Sequence, residues 1–102
     1  MVELSNQEEY YGIIKSNSHH VIHIFYAVWC ETSMSLKRRI LDLEKKFATM
    51  TFISIDIDKF NNISRENKVV RVPTIIILKD EREVCRSNRT KLQDISDILD
   101  GL

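Results

Sequence analysis

The chain has 102 residues, enough for one hydrophobic core but not two. Fifteen basic and fifteen acidic side chains cancel to a formal net charge of zero, so no long-range field gathers nucleic acid or an anionic membrane surface. Hydrophobic residues at 43% and charged residues at 29% fit a globular protein, and the longest apolar runs fall well short of the ~20 residues of a membrane span.

Val2 and Leu4 alternate with polar neighbours and predict a short first strand. Ser5-x-x-Glu8 is a capping box, and Tyr10, Ile13 and Ile14 follow at helical spacing. That helix is expected to end near Asn17, where Ser-Asn-Ser breaks the pattern. Val21 to Ala27 is apolar except for His23 and predicts a buried central strand. Leu36, Ile40, Leu43 and Phe47 then form one stripe, which predicts a continuous helix. Its outer face carries Lys37, Arg38, Asp42 and Lys46, with Arg38–Asp42 and Asp42–Lys46 as opposite-charge i,i+4 pairs worth ~0.3 kcal/mol each. The run Lys37-Arg38-Arg39 therefore reads as a solvated face and not as a binding patch.

Thr51 to Ile57 alternates, with Ile53, Ile55 and Ile57 on one side and Phe52, Ser54 and Asp56 on the other. Strand, helix and strand here fit one right-handed βαβ unit. Asp58 is expected to cap a short helix running to about Glu66. Thr74 to Leu78 is an apolar, β-branched strand. Asp80-Glu81-Arg82 connects it tightly to Glu83 through Ser87, a hairpin. Thr90-x-x-Gln93 is a second capping box, and Leu92, Ile95, Ile98 and Leu99 line the last helix. The order β-α-β-α-β-α-β-β-α predicts a single α/β domain over residues 1–102. A central mixed five-stranded sheet with helices on both faces buries all of these stripes.

The chemistry concentrates in Tyr26-Ala27-Val28-Trp29-Cys30-Glu31-Thr32-Ser33-Met34. Cys30 lies between a strand pattern and a helix pattern. A thiolate at a helix start faces unpaired backbone N–H groups and the positive end of the dipole, which lowers its pKa. Glu31 opposes that effect. The other reading of Cys30 is a small buried hydrophobe. The only other cysteine is Cys85, in the last strand, and the pair matches no metal or disulfide framework. Cys85 is expected to be packing, with an oxidisable thiol as the alternative. No charged stretch followed by an apolar run opens the chain, so no signal peptide is expected. The expected compartment is reducing and cytoplasmic. His19, His20 and His23 lack acidic or thiol partners at ligand spacing, so no metal is expected.

This order of elements, with Phe25-Tyr26-Ala27-Val28-Trp29-Cys30 and Arg71-Val72-Pro73-Thr74, resembles the thioredoxin family over nearly the whole chain. The family shows aromatic-Ala-x-Trp-Cys-Gly-Pro-Cys after its central strand and a cis proline before its hairpin. The Asp58-to-Pro73 interval also matches. The resemblance implies a thioredoxin-like fold and thiol–disulfide exchange without a bound cofactor. Protein or peptide thiols and disulfides would be its partners; glutathione enters as the external thiol that release requires where the second cysteine is missing, the alternative being that the partner stays attached.

The departures fall where the chemistry lies. Glu31-Thr32 replaces Gly-Pro, and Ser33 replaces the second cysteine. Ile24 stands where many members have a buried acid, Ser54 where a lysine often accompanies it, and Arg38 where a proline kinks the long helix. The family glycine near the last helix has no clear counterpart. On this reading Cys30 is the nucleophile of a monothiol site and Ser33 its hydrogen-bond partner. Trp29, Glu31, Thr32, Val72 and Pro73 are candidates to contact substrate. Trp29 reads equally as core filler or as a groove wall. The rival function is a non-catalytic module that holds a peptide or partner domain in the same groove. A dithiol reductase using Cys85 ranks last.

Overall fold

The computed structural model describes residues 1–102. In chain order the elements are β1 (Val2–Glu3), α1 (Gln7–Ser16), β2 (Val21–Tyr26), α2 (Glu31–Arg39), α3 (Leu41–Lys46), β3 (Thr51–Asp56), α4 (Asn61–Glu66), β4 (Thr74–Lys79), β5 (Arg82–Ser87) and α5 (Leu92–Asp100). The five strands form one mixed sheet in the order β1-β3-β2-β4-β5. The β1–β3 and β3–β2 pairs are parallel, and β2–β4 and β4–β5 are antiparallel. This is the thioredoxin-like α/β architecture.

The period-2 pattern of each strand divides the core in two. Ile22, Ile24, Phe52, Ile75 and Ile77 point to one face, where they meet Leu36, Ile40, Leu43, Ile95 and Leu99 from α2, the α2–α3 junction, α3 and α5. Val21, Phe25, Ile53, Ile55, Ile76 and Leu78 point to the other, against Tyr10 of α1 and Ile63 of α4. Ile75, Ile76 and Ile77 are at most 1% exposed. At ~2–3 kcal/mol for each fully buried isoleucine relative to exposure, β4 anchors both faces at once.

Several local expectations are corrected. The first helix is capped one residue later than expected. Asn6 accepts from Glu9 N at 2.9 Å, and the Glu9 carboxylate returns to Ser5 N at 2.9 Å. Asn caps as well as Ser, so two overlapping capping patterns competed. The Leu36–Phe47 stripe is not one helix. It breaks at Ile40, whose carbonyl accepts from both Leu43 N (3.0 Å) and Glu44 N (3.2 Å). The two pieces follow the curved core surface without a proline. Arg38 pairs with Glu31 at 2.7 Å and Lys46 reaches Asp100 at 3.5 Å, so neither expected pair with Asp42 forms. Asp58 caps nothing. The short helix α4 begins at Asn61 behind Phe60, and Asp56 secures the turn by accepting from Asp58 N at 2.9 Å. The Thr90–Gln93 box is absent too. Lys91 is the N-cap residue of α5, with no side-chain cap bond. The hairpin forms, but Lys79 and Arg82 pair within the strands, so the connection is a two-residue turn and not three, with Asp80 and Glu81 both at positive φ (52° and 65°).

Candidate functional site

The site lies where β2 ends and α2 begins. Ala27 to Cys30 form a tight turn closed by Cys30 N donating to Ala27 O at 3.0 Å. Cys30 is the N-cap residue of α2 but makes no side-chain cap bond. Its carbonyl accepts the first helical bond, from Met34 N at 3.0 Å. The N–H groups of the first helical turn therefore lack intrahelical partners and lie next to the thiol. The half-buried Cys30 thiol is held below its usual pKa. The Ser33 backbone N–H contributes most and the Ser33 hydroxyl next, opposed by burial, while Thr32 N–H helps and the Glu31 carboxylate resists.

Ser33 is completely buried. Its hydroxyl oxygen accepts from Ala27 N at 3.1 Å, and its proton goes to Cys30 O at 2.8 Å, with Ala27 O also in reach at 3.2 Å. To assist a thiolate, that proton must turn from the Cys30 carbonyl to Sγ. Ser33 thus fastens the turn from inside, a role its place in the motif did not reveal.

Across from the thiol stands the loop before β4. Cys30 Sγ lies 3.9 Å from the carbonyl of half-buried Val72. The Val72–Pro73 peptide is cis, and Pro73 is buried. Thr74 Oγ1 donates to Arg71 O at 2.6 Å. Asn88 Nδ2 donates to Thr74 Oγ1 at 2.9 Å and Pro73 O at 3.3 Å. Sequence reasoning missed Asn88. The hairpin register was a usable signal, because pairing Ile75 with Ser87 sets residue 88 beside Thr74.

Trp29 is 69% exposed, which overturns its reading as core filler. Its indole Nε1 donates to Asp58 Oδ2 at 2.9 Å, and so Asp58 orients Trp29. Glu31 and Thr32 are exposed on the first turn of α2. They line a hollow with Ser35, Arg39, Thr90 and Lys91. The structure therefore joins Cys30, Val72 and Pro73 over a buried Ser33, with Trp29 exposed next to Cys30 in the chain.

Beneath the site, Ile24 is paired in register with Ser54 and Ile75. Both Ile24 and Ser54 are buried, so no ionisable side chain stands in either place. Cys85 is half-buried and packs against the core of the α2 and α5 face. It pairs with Ile77, which pairs with Ile22. That register puts Cys85 two strands across from β2 and four rows back from Tyr26, or ~10 Å sideways and ~13 Å along the sheet. A direct disulfide requires Cα atoms within ~7 Å.

His23 is fully buried between Tyr10 and Phe25, with Nδ1 bonded to Ile76 O at 2.9 Å. No three His, Cys, Asp or Glu side chains gather as metal ligands. No helix is long and apolar enough to cross a membrane.

A family model described as Thioredoxin matches residues 1–100. Thioredoxin H2-2 of Oryza sativa subsp. japonica is 34% identical over 80 residues, covering 78% of this chain and 60% of that protein. Thioredoxin-3, mitochondrial, of Saccharomyces cerevisiae is 28% identical over 96 residues, covering 91% and 75%. Among solved structures, the germline-specific thioredoxin Deadhead of Drosophila melanogaster superposes with a TM-score of 0.92 at 21% identity, covering 100% of this chain and 99% of that one. A Plasmodium falciparum thioredoxin gives 0.92 at 21%, covering 99% and 98%. These two likenesses are of fold.

Proposed function

This chain belongs to the thioredoxin family, and we propose that it carries out thiol–disulfide exchange with a single thiol. Cys30 attacks a disulfide of a protein, a peptide or glutathione and keeps one half as a mixed disulfide. An external thiol such as glutathione then releases it. Trp29, Val72 and Pro73 shape the groove that receives the substrate, with Glu31 and Thr32 at its margin. Ser33 holds the turn and can turn its hydroxyl toward the thiolate. The expected setting is a reducing compartment such as the cytoplasm, where an external thiol is at hand.

One observation carries this reading. The residue three positions after Cys30 is a buried serine with its hydroxyl engaged, and the only other thiol lies several rows away on β5. Intramolecular release has no second thiol within reach. The lowered pKa of Cys30 supports attack by raising its thiolate fraction above that of an ordinary cysteine. Incubation with glutathione disulfide, read by intact mass, tests the reading. One glutathione on Cys30, removed by excess reduced glutathione, is expected. A Cys30 that stays unmodified and also ignores alkylating probes overturns it.

The exposure of Val28 (64%) and Trp29 (69%) beside the groove favours a second reading, in which a partner is held without covalent chemistry. Cys30→Ser separates the two, because non-covalent capture survives it and mixed-disulfide capture does not.

A further inference from the structure

A hollow of about 370 Å³ opens from the first turn of α2, lined only by polar side chains: Glu31, Thr32, Ser35, Arg39, Thr90 and Lys91. Its charges are unbalanced. The Glu31 carboxylate is tied to Arg38 at 2.7 Å. Arg39 donates to a neutral group, Thr90 O, at 3.1 Å. Neither Arg39 nor Lys91 takes part in any of the ion pairs of the protein. The run Lys37-Arg38-Arg39 splits three ways, to Glu3, Glu31 and Thr90, and only Arg39 faces this hollow. On the Val72 side of the thiol, exposed Arg71 precedes the carbonyl that meets Sγ, and it too is in no ion pair. Asp58 is occupied by the Trp29 indole. Arg89 lines a different hollow, where two cations (Arg86 and Arg89) face two carboxylates (Asp94 and Asp97).

We infer that the two margins of the groove select disulfides whose limbs end in carboxylates. Arg39 and Lys91 receive one carboxylate among the hydroxyls of Thr32, Ser35 and Thr90, and Arg71 attracts another. The hollow suits a limb of a small molecule and not a folded surface, so the substrate class is a small anionic disulfide of the glutathione type. This deepens the exchange reading above and rests on it. In the step, Cys30 loses its proton and its thiolate attacks one sulfur of the disulfide. The S–S bond breaks, and the electron pair leaves on the second sulfur, which takes up a proton. Cys30 is oxidised to the mixed disulfide as the departing half is reduced to a thiol.

The test compares rates of Cys30 modification by glutathione disulfide (anionic), hydroxyethyl disulfide (neutral) and cystamine (cationic). Each is divided by its rate with dithiothreitol, a neutral thiol that reduces all three, which removes intrinsic differences between the disulfides. The expected order is anionic over neutral over cationic. At low salt the two extremes should differ by roughly tenfold or more, and the difference should collapse near 1 M salt, where the screening length is ~3 Å. In the double variant Arg39→Gln, Lys91→Gln, the anionic-to-neutral ratio is expected to fall several-fold. A ratio taken within one protein is insensitive to a lower folded fraction or a changed thiol pKa. Equal normalised rates in the parent, or an unchanged ratio in the double variant, overturn this inference alone. Failure of Cys30 to react with any of the three overturns the exchange reading, and this inference with it.

Discussion

Ser33→Ala removes one oxygen from a side chain that has no exposed surface. That oxygen is the acceptor for Ala27 N at 3.1 Å, in a turn where Ala27 is also fully buried. Water cannot replace it without opening the turn, so a buried N–H is left unpaired, at a cost of roughly 1–3 kcal/mol. The Cys30 carbonyl loses a donor as well, but it still accepts from Met34 N at 3.0 Å and adds little. A loss of about 2 kcal/mol is expected, or about 10 °C in Tm for a domain of this size. Urea unfolding of the reduced protein at pH 7 measures it, with the slope m unchanged. The same variant probes the thiol. It keeps the Ser33 backbone N–H, the larger cause of the lowered Cys30 pKa, and loses only the hydroxyl. The midpoint of alkylation rate against pH should rise yet stay below that of an ordinary cysteine. A stability change under ~0.5 kcal/mol, the size of a neutral surface substitution, would refute the structural role assigned to Ser33. An unmoved alkylation midpoint would show that the hydroxyl never serves the thiolate.

Ser33→Cys places a second thiol one helical turn from Cys30 and is expected to form an intramolecular disulfide on oxidation, with measurable disulfide-reductase activity; two free thiols by mass after oxidation would contradict the site geometry. His23 is buried with its pKa pushed down to about 4, by burial against the opposing effects of the Ile76 carbonyl bond and Glu83. Because the folded pKa lies below the unfolded value near 6.5, the unfolded chain takes up the proton first. Stability is therefore full above pH 6.5 and falls progressively toward pH 4, by about 3 kcal/mol in all from this group. His23→Phe should flatten that part of the profile in denaturant titrations at pH 7 and pH 5, and parallel profiles for parent and variant would contradict the assignment. Glu81 holds a φ of 65° with a full side chain, so Glu81→Gly is expected to stabilise the hairpin by roughly 1 kcal/mol, read as a higher urea midpoint.

The architecture was readable because each strand carries its own period. An apolar run such as Thr74–Leu78 demands cover on both faces, and Leu36 to Phe47 and Leu92 to Leu99 supply two of the stripes that cover it. What escaped was set by competition among equivalent local signals. Ser5 and Asn6 both offer a cap three residues before a glutamate, and the chain closes on Asn6. Asp58 has the composition of a helix cap, yet its carboxylate meets an indole from a residue 29 positions earlier. Nothing in local spacing reports such a contact. The site was legible as a linear motif around Cys30 and Pro73. Its internal wiring was not, because the link between Ser33 and Ala27 depends on how tightly the backbone turns, and Asn88 enters only through strand register.

The borders of the sheet bear on the behaviour of a molecule with no net charge. Near its pI of 6.8, copies of this protein meet without mutual repulsion, a condition that favours association. Protection against strand-by-strand stacking must then be local. One border is β1, only two residues long. The other is β5, which carries Arg82, Glu83 and Arg86 and is offset by a register shift opposite Ile77 and Leu78. Arg86 also reaches over to the carbonyls of Asn67 (2.7 Å) and Lys68 (3.3 Å), which draws a bulky cation across the rim. A short border on one side and a charged, irregular one on the other deny an incoming strand a flat ladder to extend. That protection of the sheet borders does not depend on net charge, and so persists at the pH where electrostatics offers no help.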